Sequence, residues 1–435
     1  RDTDRSRGLG DVYKRQTYRA AKANNELANY YRLSPNITAN TADFDTTWSL
    51  FFAVINHSNT LINKTVLPEN ADQAKKFEEV LGEAYFLRGL SYFYLVRMYG
   101  DVPLILAETD ASTYMPRTAV AEIYDQAIIP SLKKAVEILP AKSRSGFSST
   151  PSKWAAEACL ADAYMTMAGW PLKRGQEYYS LAAAAAKDII DNSGLYLTEE
   201  YAELWKEANK AQPNEVMFAI HHNAKMKTAS NYGKSYYPSD FAPNAGWSDY
   251  YANESFFLNY PDDARKEWNY MTEWETKNGH VTYKESADKL PAISKYYDYD
   301  NGAPGKSAQA NGITCIYRYA DVLLMYAEAS TRATNSVNAQ ALDAIQKVQK
   351  RAGYAQDQLT TTTDPTAFTT AVFNERGWEF FAEMKRWFEL VRLEKVSEVR
   401  AETWNGSLFQ SNNHYYFPIP YQQIRLTQWT NNAGY

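Results

Sequence analysis

The chain has only two cysteines and five histidines in 435 residues. That poverty excludes a disulfide-built scaffold and leaves little for a metal centre. Cys159, in WAAEACLADAY, and Cys315, in ITCIYRYA, both sit in apolar contexts of helical character and read as small buried hydrophobes. His221 and His222 are adjacent on an expected strand, so their side chains point to opposite faces and do not share a metal. There is no HExxH, no CxxC and no P-loop. Asp298-Tyr299-Asp300-Asn301-Gly302 has the opening of a calcium loop but lacks the fifth-position ligand and the closing Glu, so it reads as a plain turn. No Ser-His-Asp set can be nominated, and nothing singles out a glycosidase pair among 51 acidic residues. The expectation is therefore no metal, no cofactor and no catalytic residue.

Charge of one sign is also missing. A net charge of −5 and a pI near 5.7 argue against a nucleic-acid binder, which carries a basic face. No apolar run of about 18 residues exists, so no segment reads as a membrane-spanning helix. The sequence as given shows neither a secretory signal nor an N-terminal lipidation cysteine. Residues 1–16 hold eight charged side chains without periodicity and read as a non-native or disordered lead-in, the alternative being a native solvated one.

What is plentiful is helix signal and tyrosine. Residues 17–192 read as a helical part: Ala20–Tyr31, Asp45–Lys64, the aromatic helix of Glu83–Leu106, Ala119–Leu139, Ser152–Ala168 and Gln176–Asp191. In the third of these Gly82 and Gly89 lie seven apart, on nearly one face, which suits close approach of another helix. Gly100 and Pro103 end it. Thr118 is the expected N-cap of the next helix, and Pro130 is expected to kink it. From 193 to 314 periodicity fades, Gly, Pro, Asn and Asp become frequent, and residues 215–223 read as a strand. Helical signal returns over 315–435, at Cys315–Thr331, Asn338–Arg351 and Pro365–Val399. The pattern predicts an all-α fold of tetratricopeptide-like antiparallel helix pairs, carrying a large irregular loop and short-strand insertion at 193–314 within one domain.

Five motifs occur in a fixed order. Arg88, Tyr92, Phe93, Leu95, Val96, Arg97 and Tyr99 run into Gly100-Asp101-Val102-Pro103-Leu104. Asp263-Ala264-Arg265 follows, then Arg318-Tyr319-Ala320-Asp321-Val322-Leu323-Leu324 with Tyr326-Ala327-Glu328-Ala329. Glu375-Arg376, Glu379, Glu383 and Arg386-Trp387-Phe388-Glu389-Leu390 with Arg392 come next, and Pro418-Ile419-Pro420, Ile424 and Asn432-Ala433-Gly434-Tyr435 close the chain. In this order they resemble the motifs of the SusD/RagB family. Met384 stands where that family usually has Gly, Glu389 where it has Asp, and Gln423 where it has Glu. On physical grounds these are scaffold residues. Glu375, Glu379 and Glu383 step by four and are expected to form an ion network with Arg376, Arg386 and Arg392, since like charges at that spacing need cations. Asp321 and Glu328 are expected to pair with Arg318 or cap a neighbour.

The resemblance implies a cell-surface lipoprotein of the outer membrane, held by an N-terminal lipid anchor that the given sequence lacks. It implies binding of oligosaccharide or polysaccharide and partnership with a SusC-like TonB-dependent transporter, with no enzymatic step. Alternatives are a helical-repeat protein-binding adaptor, a glycoside hydrolase, or uptake of a non-glycan nutrient such as peptide.

The ligand would sit among aromatics. Eleven Tyr and three Trp fall within the 71 residues 230–300, twice the chain's overall density, in a stretch rich in turn residues. A sugar ring presents C–H bonds on its face and hydroxyls on its rim, which suit an aromatic face and a carboxylate or amide. Trp247, Tyr250, Tyr236 and Tyr237 are the stacking candidates, Asn244 and Asp249 the hydroxyl partners, and Trp274 a further aromatic. For each of them core packing is the competing reading.

Overall fold

The computed structural model describes residues 18–20, 37–107, 115–211, 214–242, 245–297, 311–398 and 415–435, with backbone alone for 18–20. The lead-in 1–16 and, past Ala20, the helix expected over 20–31 lie outside the described residues. In chain order come β1 (Tyr18–Ala20), α1 (Ala42–Lys64), α2 (Ala71–Tyr99), α3 (Val120–Ile123), a π-helical turn (Tyr124–Ile128), α4 (Ile129–Ile138), α5 (Lys153–Ala168) and α6 (Gly175–Asn192). Short elements follow: a 3-10 turn (Tyr201–Trp205), β2 (Val216–His221), α7 (Tyr232–Tyr236), β3 (Tyr250–Ala252), α8 (Glu254–Leu258), α9 (Ala264–Asn269), β4 (Tyr270–Met271), β5 (Glu273–Thr276), β6 (Gly279–Thr282) and β7 (Ala292–Ile293). β8 (Ile313–Arg318) leads into α10 (Tyr319–Thr334), α11 (Ala339–Ala352), α12 (Pro365–Glu379), α13 (Arg386–Arg392) and α14 (Tyr421–Thr427).

The helices pack in sequence order, α1 on α2, α2 on α4, α4 on α5 and α5 on α6. α6 then packs on α10, and α10 on α11 and α12. The helical stack is thus continuous in space although the sequence leaves it between Asn192 and Ile313. One apolar core runs through the whole stack. The fold is helix-dominated, with helix pairs of tetratricopeptide-like form. Among the described residues the strands form only two-stranded antiparallel pairs, β1–β3, β2–β8, β4–β7 and β5–β6. No described helix is long and apolar enough to cross a membrane.

Local chemistry explains the elements. Asn70 caps α2 by accepting from the Gln73 amide at 3.0 Å, and Ser152 caps α5 by accepting from Ala155. A Cβ on Gly82 would lie 2.8 Å from Leu139, and one on Gly89 2.9 Å from Leu132, so both glycines admit the helix that packs across them. α2 stops at Gly100, whose φ of +71° favours glycine and against which the Tyr416 ring packs. The chain's end closes this stop. Asn432 donates to the last α2 carbonyl, Tyr99 O, at 2.9 Å and to Phe417 O at 2.6 Å.

Several expectations are corrected. Asp101, not Thr118, caps the helix at Val120, accepting its amide at 2.9 Å. Pro130 does lie inside a helical run, continuous from Val120 to Ile138, and the π turn at Tyr124–Ile128 changes the hydrogen-bond register just before the residue that has no amide to donate. Cys315 lies on β8, not on a helix, because ITCIYR finds a partner strand in β2, with Ala219 opposite Cys315. The helix expected over 365–399 breaks after Glu379, where Ala382 and Met384 adopt left-handed φ of +61° and +62°.

Candidate functional site

The insertion is tied to the scaffold by buried charge. Arg265 on α9 donates to Glu375 at 2.5 Å, to Glu379 at 2.9 Å and to its own neighbour Asp263 at 2.7 Å. Arg318 donates to Glu215 at 2.8 Å, to Glu379 at 2.5 Å and to Glu383 at 2.9 Å. Arg351 reaches Glu215 and Glu379, and Lys295 reaches Glu383 at 2.7 Å. This corrects the expected pairing: the three stepped glutamates are held by cations distant in sequence. Arg376, Arg386 and Arg392 instead surround Glu389, and Arg392 also grips Glu328. Asp321 caps α10 by accepting the Arg318 amide at 3.1 Å and pairs with Lys385. The network holds its ions because each is countered by close partners, the condition for burying charge. Burial, offset by Glu383, moves the Lys295 ammonium down to about 8.

A second apolar cluster, rich in tyrosine, joins residues of 201–313 to Cys315, Phe381 and Ala382. Tyr236 stacks on Tyr232 and Tyr296, and meets Tyr250 edge-on at 6.0 Å. Tyr237 packs on Tyr297 at 4.8 Å and on Phe241 at 5.6 Å. Two of the rings bury with their hydroxyls on carbonyls: Tyr260 donates to Trp378 O at 2.6 Å and Tyr296 to Ala382 O at 2.8 Å. Tyr236, Tyr237, Tyr250 and Trp274 are 1%, 2%, 3% and 4% exposed. As they stand, these four offer no ring face to solvent. Trp274 sits on β5, its N–H donating to Asp240 at 3.0 Å. Asn244 lies outside the described residues.

Trp247 and Asp249 reach the surface, both half-buried, while Ser248 and Tyr250 between and after them are buried. This segment is zipped to residues 234–238. Trp247 N donates to Lys234 O at 2.7 Å, Asp249 N to Ser235 O at 3.0 Å, Ser248 N to Tyr237 O at 3.0 Å and Gly246 N to Pro238 O at 2.9 Å. Gly246 is required here, since a Cβ would lie 2.3 Å from Tyr237 O. Ser248 turns the chain with φ of +53° and accepts from the Ser239 amide and the Tyr251 hydroxyl. The Lys234 ammonium stands 5.0 Å from the Trp247 ring centre. Chemically this is a small half-buried group, the candidate platform: one indole with a lysine ammonium over its ring, and a half-buried carboxylate two residues on. Lys234 was not among the residues singled out from sequence, and its separation from Trp247 by thirteen positions carries no local signal.

A polar cleft of about 250 Å³ opens elsewhere on the insertion, lined by Thr198, Glu203, Asn209, Lys210 and Asn214 over Leu204 and Val216. Its groups already hold one another. Asn209 donates to Glu203, Lys206 pairs with Glu203 at 2.8 Å, and Lys210 donates to the carbonyls of His222 and Asn311. The histidines are likewise engaged, His221 with Ser148 and His222 with Thr314. Among the described residues no group of three or more His, Cys, Asp or Glu is placed to hold a metal. Residues 298–302 lie outside the described residues.

A family model described as starch-binding, associating with the outer membrane, matches residues 7–165, and one described as the SusD family matches residues 217–435. The chain is similar to a SusD-like protein of Formosa agariphila, 28% identical over 89% of this chain and 80% of that protein. Its fold is similar to a SusD superfamily protein of Parabacteroides distasonis, with a TM-score of 0.84 and 24% identity over 98% of this chain and 93% of that one. A structure described as a laminarin-binding SusD-like protein matches with a TM-score of 0.80 and 20% identity, covering 100% of this chain and 97% of that one.

Proposed function

The chain belongs to the SusD/RagB family, and from that premise we propose that it binds oligosaccharides at the surface of the outer membrane and delivers them to a SusC-like TonB-dependent transporter. The observation that carries the reading is that Trp247, with the Lys234 ammonium 5.0 Å from its ring centre, and Asp249, two residues on, both reach the surface half-buried. A sugar ring lies face-on to the indole, and its rim hydroxyls meet the carboxylate and ammonium. The similarity to a laminarin-binding structure supports the glycan class. The helical stack serves as a rigid frame and takes no chemical step, so the protein acts as a binder and the transporter supplies the energy. One half-buried indole holds a ligand weakly, with Kd on the order of micromolar to millimolar, about −4 to −8 kcal/mol. Weak holding suits a step that passes its ligand onward.

The test is calorimetric titration of the intact chain with laminarin, xyloglucan, starch and xylan oligosaccharides, repeated with Trp247→Ala. Loss of the indole should weaken the best ligand about tenfold, the equivalent of about 1.4 kcal/mol. Unchanged affinity in the variant removes the site. Retention of a peptide mixture with no glycan binding at all removes the ligand class.

A further inference from the structure

Lys295, Tyr296 and Tyr297 follow one another between the scaffold and the platform. Lys295 is fully buried. Its ammonium donates to Phe381 O at 2.6 Å and to Glu383 Oε1 at 2.7 Å, and lies 4.2 Å from the Trp205 ring centre. The Tyr296 hydroxyl donates to Ala382 O at 2.8 Å. All of these acceptors belong to one turn, residues 380–384, which the left-handed Ala382 and Met384 bend back on itself. The same turn offers the Met384 thioether to the Tyr232 hydroxyl at 3.5 Å.

The other end of the triplet meets the platform. The Tyr296 ring lies 5.1 Å from Tyr232 and 6.1 Å from Tyr236, both on α7, and Tyr297 lies 4.8 Å from Tyr237. Residues 234–237 in turn accept the amides of Trp247, Ser248 and Asp249. A continuous path therefore runs from the scaffold turn through Lys295–Tyr297 and α7 to the segment that carries Trp247.

We propose that Lys295 and Tyr296 are positioning residues for this ligand platform: they fasten α7 to the 380–384 turn and so fix where the Trp247 ring stands. The ligand role of Trp247 is taken from the function proposed above. Neither residue touches a ligand, since both are buried. Their polar contacts run mainly to main-chain carbonyls of a single turn. Losing one leaves a buried acceptor unsatisfied at that turn and loosens the path locally.

The test is amide hydrogen exchange on the intact chain and on Tyr296→Phe and Lys295→Met. Tyr296→Phe keeps every ring contact and removes only the hydroxyl. Lys295→Met leaves Glu383 still gripped by Arg318 but removes a buried cation and lowers overall stability, so Tyr296→Phe is the deciding variant for the comparison with α5. Exchange at the amides of 246–249 should speed up about threefold to tenfold, while α5 exchange stays unchanged. The oligosaccharide that the intact chain binds best in the panel above should weaken by a similar factor. Equal acceleration throughout the chain, or none at 246–249, overturns the proposal. If the intact chain binds no oligosaccharide in the panel, the ligand reading fails, and the exchange result still decides whether these residues position the platform.

Discussion

Arg318 holds Glu383 through two parallel bonds, Nε to Oε2 and Nη2 to Oε1, both 2.9 Å. This fork-on-fork geometry is the strongest form a side-chain ion pair takes. The same guanidinium reaches Glu379 and Glu215, so one cation serves three carboxylates. Counting the connected groups, Arg265, Lys295, Arg318 and Arg351 face Glu215, Asp263, Glu375, Glu379 and Glu383, four cations against five carboxylates. Removing Arg318 would raise that excess from one to two and leave Glu383, Glu379 and Glu215 each short of a partner in a buried site. Arg318→Met is expected to cost about 3–5 kcal/mol in urea unfolding. A variant within about 1 kcal/mol of the parent would mean the network does not hold the insertion to the scaffold.

A second carboxyl makes stability depend on pH. Glu157 on α5 is buried, its Oε2 has no hydrogen-bond partner, and its neighbour across the helix pair is Asp188. Burial first, then the Asp188 charge, push its pKa up to about 8. The folded chain therefore holds a proton that the unfolded chain releases near the ordinary carboxylate value. Between that value and about pH 8 folding takes up a proton, so stability declines as pH rises through the window. Glu157→Gln mimics the protonated form. The expected outcome is a flatter dependence of melting temperature between pH 5 and 8.5, with the variant the more stable at the alkaline end. Parallel curves for the two proteins would refute the assignment.

Much of this fold was legible in the sequence, and the misses share one cause. α2 starts at Ala71, twelve residues before the expected Glu83, but its stop at Gly100 and α5, with Ser152 before it, are specified locally and legible. Cys315 was not, because a short run such as ITCIYR suits helix or strand until a partner is present, and β2 lies about a hundred residues earlier. The break after Glu379 was hidden by residues without turn character. Met384 stands where the family resemblance leads one to expect Gly, and its φ of +62° shows why Gly is usual there. Glu375, Glu379 and Glu383 announced an ion network, but their partners Arg265, Arg318 and Lys295 are brought by the fold. In the site, Trp247 and Asp249 were readable as candidates. Tyr236 and Tyr250 could not be told from them, because the rings that meet them, Tyr232 and Tyr296 against Tyr236 and Tyr236 against Tyr250, do so only once the chain has folded.

The two glycines of α2 separate propensity from packing. In a helix interior Ala is favoured over Gly by about 1 kcal/mol. A Cβ at Gly89 would meet Leu132 Cγ and Cδ2 at 2.9 Å, with Ile128 O at 3.4 Å behind, and Leu132 is fully buried. Gly82 faces Leu139 at 2.8 Å and Ile138 at 3.1 Å; Leu139 is buried but follows the last residue of α4, and Ile138 is half-buried, so the neighbours can give more easily at this end. Gly89→Ala is expected to destabilise by about 1–2 kcal/mol net of the propensity gain, and Gly82→Ala to stay within about 0.5 kcal/mol of neutral. Chemical unfolding of the two single variants checks the order. Equal effects would mean that the approach of α4 is adjustable along its length.

Gly246 offers the sharpest test of the platform as a binding surface. Its would-be Cβ lies 2.3 Å from Tyr237 O and 2.5 Å from Tyr237 Cβ, so any side chain must push the 246–249 segment off residues 234–238. Those two segments are joined by the bonds Trp247 to Lys234, Ser248 to Tyr237, Asp249 to Ser235 and Gly246 to Pro238. The helical stack does not pass through them, so the damage should remain local. Gly246→Ala is expected to keep the parent's far-ultraviolet circular dichroism and lie within about 1–2 kcal/mol of its stability. It is also expected to lose about tenfold in oligosaccharide affinity, the loss expected for Trp247→Ala, because the indole leaves its place beside Lys234. The double variant should be no weaker than either single one, since both remove the same contact. Additive losses would show that Gly246 acts on a surface other than the one that carries Trp247.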